Sequence, residues 1–181
     1  MKKILYVLVL FLSMQLVAQE KYLTKTGSVH FEASMPSFEE VAAKNDAVTA
    51  ILNTANGEFA SLVLIKGFRF KNALMEEHFN ENYAESDQFP KATFKGKLID
   101  FSVDKLGASG DYKIQGELSF HGEAKTIENV LINITKTGDV ITMTGGFKAL
   151  ASDFNIKIPK IVSNKISEDI EVTFSFELHK K

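Results

Sequence analysis

"DIEVTFSFELHKK", residues 169–181, alternates apolar and polar side chains without a break. Its apolar positions are Ile170, Val172, Phe174, Phe176 and Leu178. Successive side chains of a strand point to opposite faces, so this stretch predicts a long strand with one apolar face. The same period of two recurs in "GSVHFEASM", residues 27–35, and in "DYKIQGELSFHG", residues 111–122. The chain is therefore predicted to consist mainly of half-buried strands.

Turn signals separate the remaining apolar runs. Asn56 with Gly57 and Gly138 with Asp139 each predict a hairpin turn, and a further strand begins near Lys91. Gly145 and Gly146 lie inside a strand pattern, which predicts a bend or a bulge. Neither an internal repeat nor a proline-rich linker divides the sequence. We predict one all-β domain, an antiparallel barrel or sandwich of about eight strands.

The aromatic composition bears on the interior of this domain. The sequence contains 15 phenylalanines and no tryptophan, and many of the phenylalanines occupy alternating strand positions. A barrel of about eight strands is either filled by its own side chains or wide enough for one slender ligand. Composition alone is compatible with both a packed core and an apolar lumen.

The first residues predict export. Lys2 and Lys3 precede an apolar run over residues 4–12, and small or polar residues follow to Gln19. This order is typical of a secretory signal peptide, and the run is too short to span a bilayer comfortably. We predict that residues 1–19 are a cleavable signal peptide and that residues 20–181 form the mature domain, located in the periplasm. The sequence has no cysteine, so it is not expected to be a lipoprotein.

Charge and motifs argue against several function classes. Without Lys2 and Lys3 the sequence keeps 19 basic and 23 acidic residues, which does not suggest a nucleic-acid partner. The sequence carries no G-x-S-x-G, H-E-x-x-H or phosphate-binding glycine motif. Its four histidines, which lie in separate segments without ligand spacing, are His30, His78, His121 and His179. We therefore predict no catalysis, no metal, no cofactor and no membrane-spanning segment.

One stretch departs from the strand pattern, "NALMEEHFNENYAESDQFPKATFKGK", residues 72–97. Asn72 is a suitable N-cap, and Met75, Phe79 and Tyr83 recur at helical spacing to form one apolar stripe. We predict one short helical segment near residues 72–84. Its glutamates and His78 raise the question of a metal or acid-base site, but negative side chains on an exposed helix are usually solvated.

Several stretches in a fixed order resemble the YceI-like family of lipocalin-like polyisoprenoid-binding proteins. They are "TGSVHFEASM", "HFNENYAESDQFPKATFKG", "YKIQGELSFHGEAKTIENV", "SDFNIKIP" and the phenylalanine-rich closing strand. The resemblance implies an extended antiparallel β-barrel of about eight strands whose apolar interior holds a long isoprenoid chain, in exported proteins that lack known catalysis. It also implies that residues 72–90 cover or shape one end of the barrel.

The resemblance also implies which residues contact the ligand. His78 and His121 match histidines of the family pattern. His78 is a candidate polar contact with the ligand. Alternation places His121 on the strand face opposite that of Phe120, which favours a structural role. The predicted lumen residues are Val29, Phe31, Phe79, Phe94, Ile114, Leu118, Phe120, Phe154, Val172, Phe174 and Phe176. The expected partner is an isoprenoid or another long-chain lipid, and a homodimer is also considered. The alternative function is a structural or stress-related envelope protein with a filled core and no ligand.

Overall fold

A computed structural model of the protein describes residues 20–102, 105–107 and 109–181, so the predicted signal peptide at residues 1–19 lies outside the described residues. The strands are β1 (Lys21–Ser34), β2 (Ala42–Asn53), β3 (Glu58–Leu64), β4 (Arg69–Phe70), β5 (Lys91–Leu98), β6 (Ser109–Phe120), β7 (Glu123–Thr137), β8 (Val140–Leu150) and β9 (Ile166–Lys180). The helix α1 (Ala73–His78) continues into a π-helical turn (Phe79–Tyr83). Short 3-10 turns cover Ile65–Gly67 and Ala151–Phe154.

The strands form a closed antiparallel barrel. Neighbours follow the order β1-β9-β8-β7-β6-β5-β3-β2, and β1 pairs with β2 to complete the ring of eight. The two-residue β4 lies outside this ring and pairs with β2, where Phe70 is opposite Ala43. The predicted antiparallel barrel is therefore confirmed, and closure decides the barrel-or-sandwich alternative in favour of the barrel.

Glycines occupy the predicted hairpin turns. Gly138, with φ of 60°, stands between Thr137 and Val140, which are paired across β7 and β8. Gly57, with φ of 76°, precedes β3, and a Cβ atom there would lie 2.9 Å from the ring of Phe101. Both positions require a left-handed backbone, which glycine adopts without steric cost.

Of the bend or bulge predicted at Gly145 and Gly146, the bulge is wrong and the bend stays a prediction. The ladder between β8 and β9 runs from Val140 to Leu150 without a register shift. Gly145 instead makes room inside the barrel, because a Cβ atom on it would lie 2.8 Å from the ring of Phe174. The glycine pair also marks the point where the pairing of β8 with β7 ends, since Gly145 opposite Ile132 is the last pair of that ladder.

Register shifts occur elsewhere and keep apolar residues inside. In β7 an extra residue lies opposite Gln115, and Asn129 adopts a φ of 55° there. A shift of one residue moves side chains to the other face of the sheet. As a result Ile127 and Val130, which have opposite parity, both face the interior. Another extra residue between Thr24 and Gly27 has the same effect in β1.

The tightest packing occupies one end of the barrel, which we call the packed end. Its fully buried side chains include Tyr22, Val48, Leu52, Ile132, Ile134, Ile141, Met143 and Leu178, each at most 1% exposed. Antiparallel register brings them together, since the start of β1 is opposite the ends of β2 and β9. The packed end supplies a core, and the opposite end, called the open end, holds the candidate site.

Candidate functional site

The interior widens toward the open end into an apolar cavity of about 420 Å³. The cavity wall is formed by barrel strands, by α1 with its π-helical turn, and by the connection between β8 and β9. Ile132, Met143 and Phe176 line it next to the packed end and form its floor. The barrel is therefore filled at one end and hollow at the other.

The structure places every residue of the predicted lumen set on the cavity wall. These are Val29, Phe31, Phe79, Phe94, Ile114, Leu118, Phe120, Phe154, Val172, Phe174 and Phe176. Strand pairing explains the arrangement, since Val29 is opposite Phe174 in neighbouring strands. Alternation places the strand members of this set, because all odd or all even positions of a regular strand face one side, whereas Phe79 lies in the π-helical turn and Phe154 in a 3-10 turn.

Sequence reasoning missed part of this wall. The additional apolar lining residues include Phe38, Phe68, Phe70, Phe147, Ile156, Ile158 and Val162. Phe68 and Phe70 are two apart in "GFRF", and Ile156 and Ile158 are two apart in "NIKIP". A period of two was therefore present in both stretches, but only over two apolar residues, which is too short to distinguish a wall segment from a surface loop.

The predicted helical segment begins as the sequence indicates. The side-chain oxygen of Asn72 accepts a hydrogen bond from the backbone N–H of Leu74 at 2.9 Å, which caps α1. Met75, Phe79 and Tyr83 all line the cavity, as expected from their apolar stripe. The predicted short helix is thus confirmed, and its apolar face covers part of the open end.

An aromatic cluster holds the helical segment against the barrel. The ring centroid of Phe79 lies 5.2 Å from Phe31, 5.8 Å from Phe68 and 5.2 Å from Phe70. Phe31 also meets Phe68 edge to face at 5.1 Å. Such aromatic pairs contribute about 0.5–1.5 kcal/mol each beyond the area they bury. The cluster therefore ties β1, β4 and the π-helical turn into one part of the wall.

A glycine pair lets another aromatic ring lie along the wall. Gly96 of β5 is opposite Gly116 of β6, and a Cβ atom on Gly96 would lie 2.3 Å from the carbonyl oxygen of Gln115 and 2.7 Å from the ring of Phe94. A Cβ atom on Gly116 would also meet the Phe94 ring, at 2.8 Å. No larger residue fits at either position without movement of backbone and ring, so the pair sets how far Phe94 projects into the cavity.

Polar groups are sparse on the wall. The polar lining residues are Glu39, Ser61, His78, Tyr83, Thr93 and Lys165. His78 is exposed at the end of α1, and its ring makes no hydrogen bond to the residues that the structure describes. The imidazole can therefore reach a polar group placed at the mouth.

His121 has a different role from His78. It occupies the β6–β7 turn with φ of 50° rather than a strand position, which corrects the placement inferred from alternation. Its Nδ1 lies 2.8 Å from the carbonyl oxygen of Phe154, its Nε2 lies 3.0 Å from Oε2 of Glu85, and its side chain is 9% exposed. The ring also packs against Phe89 at 4.5 Å. His121 thus links three segments around the mouth, which agrees with the expected structural role.

Loss of the His121 contacts should destabilise the barrel. We expect His121→Asn to lower the free energy of unfolding by about 1–2 kcal/mol, because asparagine tolerates a positive φ but cannot bridge Phe154 and Glu85. Thermal unfolding should shift downward by roughly 2–8 °C. His179→Asn, at an exposed position, is the matched control and should leave the melting temperature unchanged. Equal melting temperatures for both variants would contradict the structural role.

Two further features concern metals and membranes. Across the described ranges, His, Asp and Glu side chains form no group of three or more that could hold a metal ion. Within the same part of the chain, no helix has the length and apolar character needed to cross a bilayer.

The model of the YceI-like domain family matches residues 21–178 of the chain. This range begins and ends within the barrel strands β1 and β9 and includes the whole cavity wall. No curated protein sequence matches the chain significantly.

Solved structures share the fold at low sequence identity. A polyisoprenoid-binding domain from Saccharophagus degradans, implicated in plant cell wall breakdown, has a TM-score of 0.77 at 16% identity, covering 89% of this chain and 98% of its own. BcnA of Burkholderia cenocepacia has a TM-score of 0.68 at 16% identity, covering 83% and 95%. The YceI protein of Campylobacter jejuni has a TM-score of 0.62 at 18% identity, covering 81% and 89%. Each is similar to this chain across most of the barrel.

Proposed function

The chain belongs to the YceI-like domain family, and we propose that it is an exported protein that binds a polyisoprenoid or a similar long apolar lipid in its barrel lumen. The observation that carries this proposal is the cavity of about 420 Å³ with an almost wholly apolar wall. The structural relative from Saccharophagus degradans is described as a polyisoprenoid-binding domain, which supports the ligand class. The predicted lumen residues are the proposed ligand contacts.

The physical chemistry of the wall favours a long hydrocarbon chain. Each isoprene unit has five carbons, so its transfer from water gains roughly 4 kcal/mol before the costs of ordering are subtracted. A few units therefore suffice for tight binding. An apolar wall distinguishes ligands mainly by length and shape, because it offers few hydrogen bonds that a wrong ligand would leave unmade.

Selection of the polar head group is proposed to occur at the mouth. His78 lies there with Tyr83, and both side chains line the cavity beside the apolar stripe of the helical segment. A hydroxyl, amide or phosphate on the lipid would meet the imidazole while its chain follows the wall. The proposed role is binding alone, and no reaction step is assigned to these residues.

The alternative is a structural envelope protein with a filled core. The packed end has the close packing that this alternative requires, with Leu52, Ile141 and Leu178 fully buried. At the open end Phe31, Phe120 and Phe174 are only half-buried, because their rings face the cavity. This difference between the two ends supports the lipid-binding proposal over the filled core.

The direct test is mass spectrometry of an organic extract from protein purified without detergent. We expect a long-chain lipid, present at close to one molecule per chain. The same protein stripped of lipid by denaturation and refolded, then incubated with a long-chain isoprenoid alcohol on cyclodextrin, should take up the alcohol. Failure of both the native extraction and the reloading would overturn the proposal in favour of the filled core.

Export is a separate part of the proposal, resting on the sequence of residues 1–19. Protein expressed from the full sequence in a Gram-negative host should be recovered from the periplasm with an N-terminus near Glu20. Replacing Lys2 and Lys3 by glutamate should slow export and leave precursor in the cytoplasm, whereas glutamate at Lys180 should not. Periplasmic protein that still begins at Met1 would contradict cleavage.

A further inference from the structure

One side of the cavity mouth is formed by residues 155–165, which we call the rim loop. Ile156, Ile158 and Val162 of this loop line the cavity. Ile161 points away from it and is 87% exposed, the most exposed large apolar side chain in the described parts of the chain. Burying such a side chain against another apolar phase would contribute favourable free energy.

The apolar surface extends beyond the rim loop. Phe38 in the β1–β2 connection is 45% exposed and Leu150 at the end of β8 is 40% exposed, and both also line the cavity. The antiparallel register places the end of β1, the end of β8 and the rim loop at the same end of the barrel. The exposed apolar surface is therefore continuous with the cavity wall.

The rim loop is also basic. Lys157, Lys160 and Lys165 are exposed, and residues 155–165 contain no acidic residue. None of the three lysines forms an ion pair with the carboxylates of the described residues. Nearby Asp153 is already paired with Lys125 at 3.4 Å. Three lysines without an ion pair thus flank Ile161 in the sequence of the rim loop, in a protein whose net charge is negative.

The other side of the mouth has the opposite charge. The helical segment carries Glu76, Glu77 and Glu81, of which Glu76 is paired with Arg69 at 3.1 Å and the other two form no ion pair with the described residues. In the β1–β2 connection, Lys71 donates a hydrogen bond to Glu40 and lowers the pKa of that carboxyl below its ordinary value, so the negative charge beside Phe38 is paired. An anionic surface would attract the rim loop and repel the helical segment, so the charge pattern selects one orientation.

We propose that the rim loop docks the mouth of the barrel onto an anionic lipid bilayer, with Ile161 inserted among the acyl chains and the three lysines at the head groups. This inference rests on the proposed lipid-binding function. A lipid that passes between bilayer and cavity through a docked mouth keeps its chain out of water. The lysines attract the surface at long range, and Ile161 contributes where the surfaces meet.

Flotation with vesicles tests the proposal. The lipid-free protein is mixed with vesicles of phosphatidylcholine alone or with about one third phosphatidylglycerol, and the bound fraction is measured at two salt concentrations. We expect binding to the anionic vesicles that weakens as salt rises. Replacing Lys157 and Lys160, which do not line the cavity, together by glutamine should weaken it about 25-fold, since each lysine contributes about fivefold. Ile161→Ser should weaken it roughly tenfold.

Matched controls lie on the barrel wall. Leu131→Ser removes an apolar side chain that is 60% exposed on β7, and the double glutamine variant of Lys95 and Lys97 removes the same charge from β5 as the rim variant removes from the rim loop. Both controls should bind anionic vesicles like the unmodified protein. Uptake of isoprenoid alcohol from cyclodextrin, which needs no bilayer, should be unchanged in all variants. This readout separates the docking proposal from the lipid-binding proposal.

Three outcomes would overturn docking by the rim loop. One is alcohol uptake by the unmodified protein without binding to anionic vesicles. Another is an equal loss of vesicle binding in the rim and control variants. The third combines two results for Ile161→Ser: light scattering shows a change from dimer to monomer, and vesicle binding is unchanged. The rim loop would then be an interface between two copies of the chain.

Discussion

Replacing Ala149 by tryptophan is expected to reduce the lipid recovered with the protein about tenfold or more while the barrel remains folded. Ala149 lies on β8 opposite Ile170, is half-buried and lines the cavity. An indole at this position would occupy a large share of a cavity of about 420 Å³. A cavity accepts this volume, whereas a close-packed core of the same fold would lose about 1–3 kcal/mol to overpacking.

Ala124→Trp is the matched control for this experiment. Ala124 is exposed on β7 close to the same end of the barrel, so its replacement adds the same side chain outside the lumen. Bound lipid is measured by mass spectrometry after native purification, and folding by circular dichroism and thermal unfolding. Equal lipid content in the two variants would show that the ligand does not occupy this cavity, and a large loss of stability in Ala149→Trp would indicate a filled interior.

Truncating a buried side chain should lower the free energy of unfolding by different amounts at the two ends of the barrel. Leu178→Ala at the packed end should lower the free energy of unfolding by about 2–5 kcal/mol, because Leu178 is fully buried and its loss leaves a new cavity. Phe174→Ala should cost less than the roughly 3–5 kcal/mol typical of phenylalanine in a packed core. Phe174 stacks on Phe176 at 5.4 Å but faces existing space on its other side.

The comparison requires lipid-free protein, since bound ligand stabilises the folded state and would hide the difference. Urea unfolding of both variants and of Phe120→Ala gives the free energies directly. Phe120 contacts Phe154 at 5.7 Å and otherwise borders the cavity, so it should behave like Phe174. If both phenylalanine variants lose more than about 3 kcal/mol of unfolding free energy, the open end is as closely packed as the packed end.

Alternation explains why so much of the cavity wall was predictable. Where β1 and β9 are regular, the parity of Val29, Phe31 and Phe174 in the sequence is enough to place all three inside the barrel. Local chemistry explains the helix as well, since Asn72 caps it through a contact only two residues away. Features that depend on neighbouring residues can be read from one sequence with little knowledge of the whole fold.

Other features depend on contacts between distant segments. Ile127 and Val130 both face the interior because Asn129 between them adopts a left-handed backbone. Nothing in the sequence "ENVL" distinguishes this backbone from that of a regular strand. His121 was misplaced because its partners, Glu85 and Phe154, come from other parts of the chain. The division into packed and open ends was not predictable either, because isoleucine and phenylalanine alternate in the same way along both.

The pairing of β1 with β9 has a consequence for how the protein folds. These strands are separated by most of the chain, yet Tyr22 is opposite Lys180. Closing so long a loop carries an entropy cost that is recovered only when the last strand is in place, and such high contact order slows folding. Until then β1 and β8 expose unpaired edges that can recruit a second chain. A nascent polypeptide therefore cannot complete the ring before β9 emerges from the ribosome, and the longer that interval lasts, the longer the unpaired edges are open to aggregation.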